Sequence, residues 1–412
     1  ARRGSMSHSS ATLMLKAANK LRTFHLSRIA AKNFGEFFTA ADASAACAAF
    51  SRVLRGARIS PDAGNAMLSL VTAAVGKALP HRQRMLLTTL TSRTMLPQYA
   101  RRPHAPTDEM CALVVGGGPI GLRCAVELSL LRVTVKVVEG RERFSRLNCL
   151  HLWEWVEADL SELGMKALDP SAFSSADFKH VSTAQMQHSL LKVALLLGVK
   201  VQFGAPVPSL AALQALGYHA CGTLTASADF ARYHQLRLHG DTSDAADATD
   251  LSEGSGGGGA RATLHGGSVP FHVLVDATGA RCELFSSIGF EQELVLKSAR
   301  AIGLVVHFYN RKQAEELQLR ESDWAHQFHT AKFRQLEARD GVKLQNMVYY
   351  RSTGAFTSAP CAAADPHASA THYFVCTAEA DSLYAAGALR SLDRPEELCA
   401  PANVDLAKLA AY

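Results

Sequence analysis

The chain has 412 residues, 48% of them apolar, and a formal net charge of +6. That length gives room for two or three domains and a large core, and the absence of any run of about 18 apolar residues excludes a transmembrane helix. The nine cysteines (Cys47, Cys111, Cys124, Cys149, Cys221, Cys282, Cys361, Cys376 and Cys399) are odd in number and form no CxxC pair. They read as free thiols in a reducing, cytoplasmic compartment, with neither a zinc site nor a disulfide framework.

Residues 1–35 carry seven Lys or Arg and no acid, leaving the rest of the chain close to neutral. An acid-free N-terminus rich in Arg, Ser and Ala resembles an organellar targeting segment. It reads equally as a solvated basic tail, or as an attachment point for an acidic filament or membrane surface. Residues 36–110 are expected to be helical. Apolar positions recur at helical spacing through Phe37, Phe38, Ala45, Ala49, Phe50, Val53 and Leu54, then through Leu68, Val71 and Leu79. Ser60-Pro61-Asp62 is a helix start between the two stretches, and residues 101–106 form a turn-rich link.

The segment 111–139 is the most specific local signal. Cys111-Ala-Leu-Val-Val115 reads as a buried strand, Gly116-Gly-Gly-Pro-Ile-Gly121 as a tight turn, and Leu122–Leu131 as an apolar-striped helix. Val135–Val138 is a second strand, closed by Glu139 18 residues after Gly121. This is the pattern of a dinucleotide-binding βαβ unit. Gly116 permits the sharp turn, Gly118 lets a pyrophosphate approach the backbone, and Gly121 lets the helix pack close to the sheet. The helix N-terminus offers N–H groups and a positive dipole end to phosphates. Glu139 is placed to accept hydrogen bonds from ribose hydroxyls.

Three arginines and an asparagine follow, in Glu139–Asn148. Arg141 and Arg146 are candidates for neutralising pyrophosphate or ribose-adjacent oxygens through forked hydrogen bonds. Arg143 reads as solvated, and Asn148 as an amide presented to a ring edge. Trp153 and Trp155 are expected to pack, or else to stack beside a cofactor.

Ser182–Leu197 is expected to be a helix ended by Gly198, and Val199–Phe203 a strand. Residues 238–268 are low-complexity loop, including Gly254-Ser-Gly-Gly-Gly-Gly259. Val269–Val275 reads as one buried strand leading into Asp276-Ala277-Thr278-Gly279, in the same sheet as the glycine turn. Ala301–Phe308, Asn346–Tyr350 and His372–Thr377 read as strands of a second sheet. They are separated by an Ala/Ser/Pro-rich loop at 352–370, and a helix begins near Asn403. The expected division is therefore 111–290 for a cofactor domain and 291–412 for a second-sheet domain on the substrate side. No Ser-His-Asp set, GxSxG, HExxH or Walker sequence occurs, and the seventeen histidines are scattered. No metal ligand and no catalytic side chain is assigned. That suits a cofactor enzyme, in which the protein supplies position and electrostatics.

Longer strings add a family resemblance. Gly116–Leu131 with Glu139, then Phe144-Ser-Arg-Leu-Asn148 and Leu150-His-Leu-Trp153, resemble the flavin monooxygenase domain of the MICAL family. Gln185–Gly198 is similar to its QLQxxLLKVALxLGV helix, and Asn346–Arg351 with Thr371–Ala378 to its NxVYYK and THYFVMTA strands. The resemblance covers about residues 36–412. It implies an α/β fold: a Rossmann-like FAD-binding domain of the p-hydroxybenzoate-hydroxylase type, an interleaved second β-sheet domain and a helical N-terminal region. It implies FAD reduced by NADPH, with oxidation of methionine on actin filaments or release of hydrogen peroxide, and no nucleic-acid partner. It assigns Gly116, Gly118 and Gly121 to the FAD diphosphate and Glu139 to the adenosine ribose. Arg141, Arg146 and Asn148 line the FAD site. Ile120 stands where the family usually has cysteine, its backbone still serving. Tyr373 faces the flavin from the second sheet, or else points into the core.

The chain departs from the family at Thr278-Gly279, where an Asp-Gly pair is usual. It also ends before the family's second flavin motif, so the second-sheet domain is expected to be C-terminally truncated. Two competing readings remain. One is a flavoenzyme of the aromatic-hydroxylase type acting on a small molecule. The other is a non-catalytic nucleotide-binding module that engages a partner through its basic N-terminus.

Overall fold

The computed structural model describes residues 27–100, 110–146, 148–173, 180–221, 269–279, 282–290, 301–311, 313–352, 371–394 and 397–412. The tail up to residue 26, the low-complexity loop 238–268 and residues 353–370 lie outside the described residues. The chain divides into two compact units. The first draws on 1–144, 162–167 and 187–292, the second on 145–161, 168–186 and 293–412.

In the first unit, helices α1 (residues 27–39), α2 (Ala43–Ala57), α3 (Met67–Val75) and α4 (His81–Thr94) form the helical region. Residues 27–35 of its first helix fall inside the stretch read from sequence as a tail. Asp42 caps α2 by accepting the Ala45 N–H at 2.7 Å. Ala43, Ala46, Ala49, Phe50, Val53 and Leu54 bury one face of α2, at the three-and-four spacing of a helical stripe. Phe37 packs between Phe34 and Phe50, with centroids 5.6 and 5.0 Å away.

The same unit holds a four-stranded parallel sheet made of β1 (Cys111–Val115), β2 (Thr134–Val138), β5 (Lys200–Gln202) and β8 (Val273–Asp276), in the order β5-β2-β1-β8. Helix α5 (Pro119–Leu130) is the crossover from β1 to β2. A strand covered on both faces reads as an unbroken apolar run, which is why Ala112–Val115 are all buried. Leu113, Val115, Val138, Leu213, Phe271 and Leu284 share one core. The register sets Val115 beside both Val138 and Asp276, so all three strand ends lie at the carboxyl edge.

Val269–Val275 is two strands, not the single strand expected. β7 (Val269–Phe271) pairs with β6 (Tyr218–Ala220), and β8 alone joins the main sheet. Pro270 has no N–H to give to a continuous ladder. His272 marks the break: its N–H donates to the Cys111 carbonyl at 2.7 Å, and its Nδ1 accepts the Cys111 N–H at 3.0 Å.

The second unit contains an antiparallel sheet, β10-β11-β12-β9, made of β9 (Ala301–Tyr309), β10 (Ser322–Ala325), β11 (Leu344–Ser352) and β12 (Thr371–Glu379). The three strands expected from sequence are present, and β10 adds a fourth. A hairpin-like pair, β3 (Cys149–His151) with β4 (His180–Ser182), lies in the same unit. Phe333, Leu344, Ala378, Leu383 and Leu389 form its core. Among the described residues, no helix is long and apolar enough to cross a membrane, and no three His, Cys, Asp or Glu side chains cluster as metal ligands.

Candidate cofactor site

The glycine turn leaves β1 by a conformation that only glycine adopts readily. Gly116 has φ +107°, and a Cβ there would stand 2.5 Å from the Ala277 carbonyl oxygen. Its N–H donates to the Val138 carbonyl at 2.7 Å, tying the turn to the neighbouring strand. Gly118 is the N-cap of α5 and Pro119 follows at the first helical position, where its missing N–H costs nothing. No side chain caps this helix, so its first-turn N–H groups stand at a positive dipole end. A Cβ on Gly118 would meet nothing within 4 Å, whereas one on Gly121 would collide with the Gly116 carbonyl oxygen. The three glycines thus differ in surroundings: Gly116 in a tight turn, Gly118 facing open space and Gly121 in close backbone packing. Ile120 is 78% exposed on the same first turn.

Glu139 follows the last residue of β2. Its backbone is pinned on both sides, the N–H donating to Gln202 at 2.8 Å and the carbonyl accepting from Ala205 at 3.0 Å. Its Oε2 accepts the Gly117 N–H at 2.7 Å, and its Oε1 accepts the Arg141 N–H at 2.9 Å. An ionised carboxylate has about four lone-pair sites, so acceptor capacity remains for hydroxyl donors. The Arg141 side chain is exposed, while its carbonyl accepts the Gly204 N–H at 3.1 Å. This set offers donors to a diphosphate and acceptors to a ribose.

The strand end at β8 is built as a brace for that turn. Asp276 Oδ1 accepts from the Thr278 N–H at 3.0 Å and from its hydroxyl at 2.6 Å, and Oδ2 accepts the Phe285 N–H at 3.2 Å. The loop so held brings the Ala277 carbonyl against Gly116. Thr278 serves this loop through its hydroxyl.

One residue of this unit was missed by sequence reasoning. Gln187, in the helix Thr183–Leu196, donates Nε2 to the Gly117 carbonyl at 2.8 Å. The signal available was a glutamine on the same helical stripe as Leu190, Leu191 and Ala194, all buried. Its neighbour His188 packs edge-on against Phe144 at 5.2 Å. Burial, and secondarily the Lys192 ammonium, push the His188 pKa down to about 4.

The other three candidates lie in the second unit. Arg146 and Asn148 have exposed side chains, and their carbonyls accept the N–H groups of Ala184 (3.3 Å) and Thr183 (2.8 Å). Tyr373 is 3% exposed, resolving in favour of burial the register that sequence left open. Its ring stacks on Tyr350 and meets His307 edge-on at 4.8 Å. Burial raises its pKa, and the Cys149 backbone, one residue from Asn148, opposes that rise. Burial, followed by the charges of Asp323 and Glu321, pushes the adjacent Tyr350 up to about 12. Trp153 and Trp155 depart from the packing role expected of them. They stack on each other at 5.2 Å and 9°, and remain 63% and 67% exposed.

These features define a mixed α/β protein with a parallel sheet and a glycine-rich strand-to-helix turn. No protein-family model matches the chain. Comparison with curated proteins is more informative. The chain is 34% identical over 307 residues to the [F-actin]-monooxygenase Mical of Drosophila melanogaster, covering 73% of this chain and 5% of that protein. It is 33% identical over 319 residues to the [F-actin]-monooxygenase MICAL1 of Mus musculus, covering 76% of this chain and 25% of that protein. It is 31% identical over 338 residues to the protein-methionine sulfoxide oxidase mical3b of Danio rerio, covering 80% of this chain and 17% of that protein. The chain is homologous, over most of its own length, to a segment of the MICAL family, and it spans a quarter or less of these relatives.

Proposed function

We propose that the chain is the flavin-binding segment of an FAD-dependent, NADPH-consuming monooxygenase. In this reading it oxidises methionine sulfur on actin filaments, with the second oxygen atom leaving as water, or else it releases hydrogen peroxide with no sulfur oxidised, in the cytoplasm. The observation that carries the reading is the similarity, over 307 residues, to a protein named for F-actin monooxygenation. The name of the zebrafish relative supplies the methionine chemistry.

Bound FAD would supply electron transfer from NADPH to dioxygen. The chain's own residues would hold it. The first-turn N–H groups of α5, at Ile120 and Gly121, would receive the diphosphate, and the open face of Gly118 would let it approach. Glu139 would accept the ribose hydroxyls while keeping its two backbone bonds. Arg141 would neutralise phosphate charge.

The test is an assay of the FAD-loaded protein with NADPH, with and without actin filaments, followed by mass spectrometry of the actin. The expected result is faster NADPH consumption with filaments and an oxygen added to actin methionine. NADPH oxidation stimulated by small phenols, and not by filaments, would instead identify a small-molecule hydroxylase.

A further inference from the structure

Both backbone groups of Gly117 are held by side chains. Glu139 accepts its N–H at 2.7 Å, and Gln187 donates to its carbonyl at 2.8 Å. All three residues belong to the first unit. The carbonyl of Gly117 and the N–H of Gly118 are the two ends of one peptide plane. No cis peptide occurs among the described residues, and in a trans peptide those two groups point in opposite directions. A carbonyl drawn toward Gln187 therefore directs the Gly118 N–H away from it. Gly118 itself opens onto free space, with nothing within 4 Å of a Cβ there.

Gln187 is 3% exposed, on a helical stripe shared with Leu190, Leu191 and Ala194. Its Oε1 is shut off from solvent and has no hydrogen-bond partner among the described residues. An apolar side chain of similar shape would fill the position without stranding an oxygen. What the amide adds is its donor. The sealed oxygen also means that Gln187 acts through the loop and does not itself touch a ligand.

We propose that Gln187 is a positioning residue for the nucleotide diphosphate: by clamping the Gly117 carbonyl it aims the Gly118 N–H at the phosphates. This rests on the cofactor reading above and adds a residue that the glycine pattern does not contain. Two variants of the full chain, Gln187→Leu and Gln187→Glu, test it by titration with FAD and with ADP, which carries the diphosphate without the flavin. The leucine variant is expected to weaken both ligands in parallel by about tenfold, the size of one hydrogen bond lost from the bound state. The glutamate variant presents a carboxylate to a carbonyl oxygen at neutral pH. Its affinity is expected to recover as the pH falls, because a protonated carboxyl can again donate to Gly117, while the wild type shows no such recovery over the same range. A purely structural role predicts a lower melting temperature with no such pH-dependent recovery, and that pattern would overturn the proposal. If the leucine variant fails to fold, the pH profile of the glutamate variant decides. Wild-type protein that binds FAD and ADP, with variants that bind them equally well, refutes the role of Gln187 alone. Wild-type protein that binds neither ligand refutes the cofactor reading beneath it.

Discussion

A Cβ on Gly121 would collide with the carbonyl oxygen of Gly116, across the turn that both residues close. The contact is with backbone, which cannot swing aside as a side chain tip would. Gly121→Ala is therefore expected to destabilise the fold by about 1–3 kcal/mol or more, as overpacking does. Gly118→Ala meets open space, and its stability should stay within about 0.5 kcal/mol of wild type. The same methyl would occupy the approach to the backbone, so FAD affinity should fall. Denaturant melts and FAD titrations of both variants separate the two glycines. A Gly118→Ala protein with full FAD affinity would contradict the assignment.

His188 makes stability depend on pH in a defined window. Its pKa in the fold is about 4, against 6.5 for an ordinary histidine, with burial as the main cause. Above the unfolded value both states are neutral and the residue contributes nothing to the slope. As pH falls from 6.5 toward 4, the unfolded chain takes up a proton that the fold refuses, and stability is lost, by about 3 kcal/mol at most. His188→Gln removes the titration, so the wild type should lose stability faster than the variant across that window. Parallel curves in chemical denaturation at several pH values would show that the imidazole is not held neutral.

In the second unit, the Tyr349 hydroxyl lies 2.6 Å from His372 Nδ1, both residues being buried. His372 Nε2 is 3.5 Å from Glu316 Oε1. Whichever of the two donates, the bond satisfies a ring nitrogen that burial cuts off from water. Tyr349→Phe deletes the hydroxyl and strands a buried ring nitrogen. It is expected to cost about 1–3 kcal/mol in urea unfolding. A loss under about 0.5 kcal/mol, the range of an ordinary surface change, would mean that the hydroxyl bond is not formed.

The β1-α5-β2 unit was readable because its physics is local. A strand buried on both faces is apolar at successive positions, and Gly116 and Gly121 answer steric demands within a few residues or at the adjoining strand end. The long strands β9, β11 and β12 were readable for a related reason, since nine-residue runs rich in β-branched and aromatic residues have few alternatives. What escaped depends on distant partners. β10 is four residues long and contains Ser322 and Asp323; it is a strand because Trp324 and Ala325 pair with Met347 and Asn346. The break at His272 depends on bonds to Cys111, 161 positions away. The hold of Gln187 on Gly117 spans 70 positions, which no local pattern encodes. The glycine turn and the strand end at Glu139 were legible from spacing, whereas the burial of Tyr373 follows from a register that alternation leaves undetermined.

The most direct test of the account is cofactor content. Residues 1–412 would be purified in the presence of FAD and freed of excess, and their visible spectrum and released nucleotide measured. The account predicts stoichiometric FAD, held by the turn at Gly116–Gly121 and by Glu139. A folded protein that retains no flavin after being supplied with it would contradict the account at its centre.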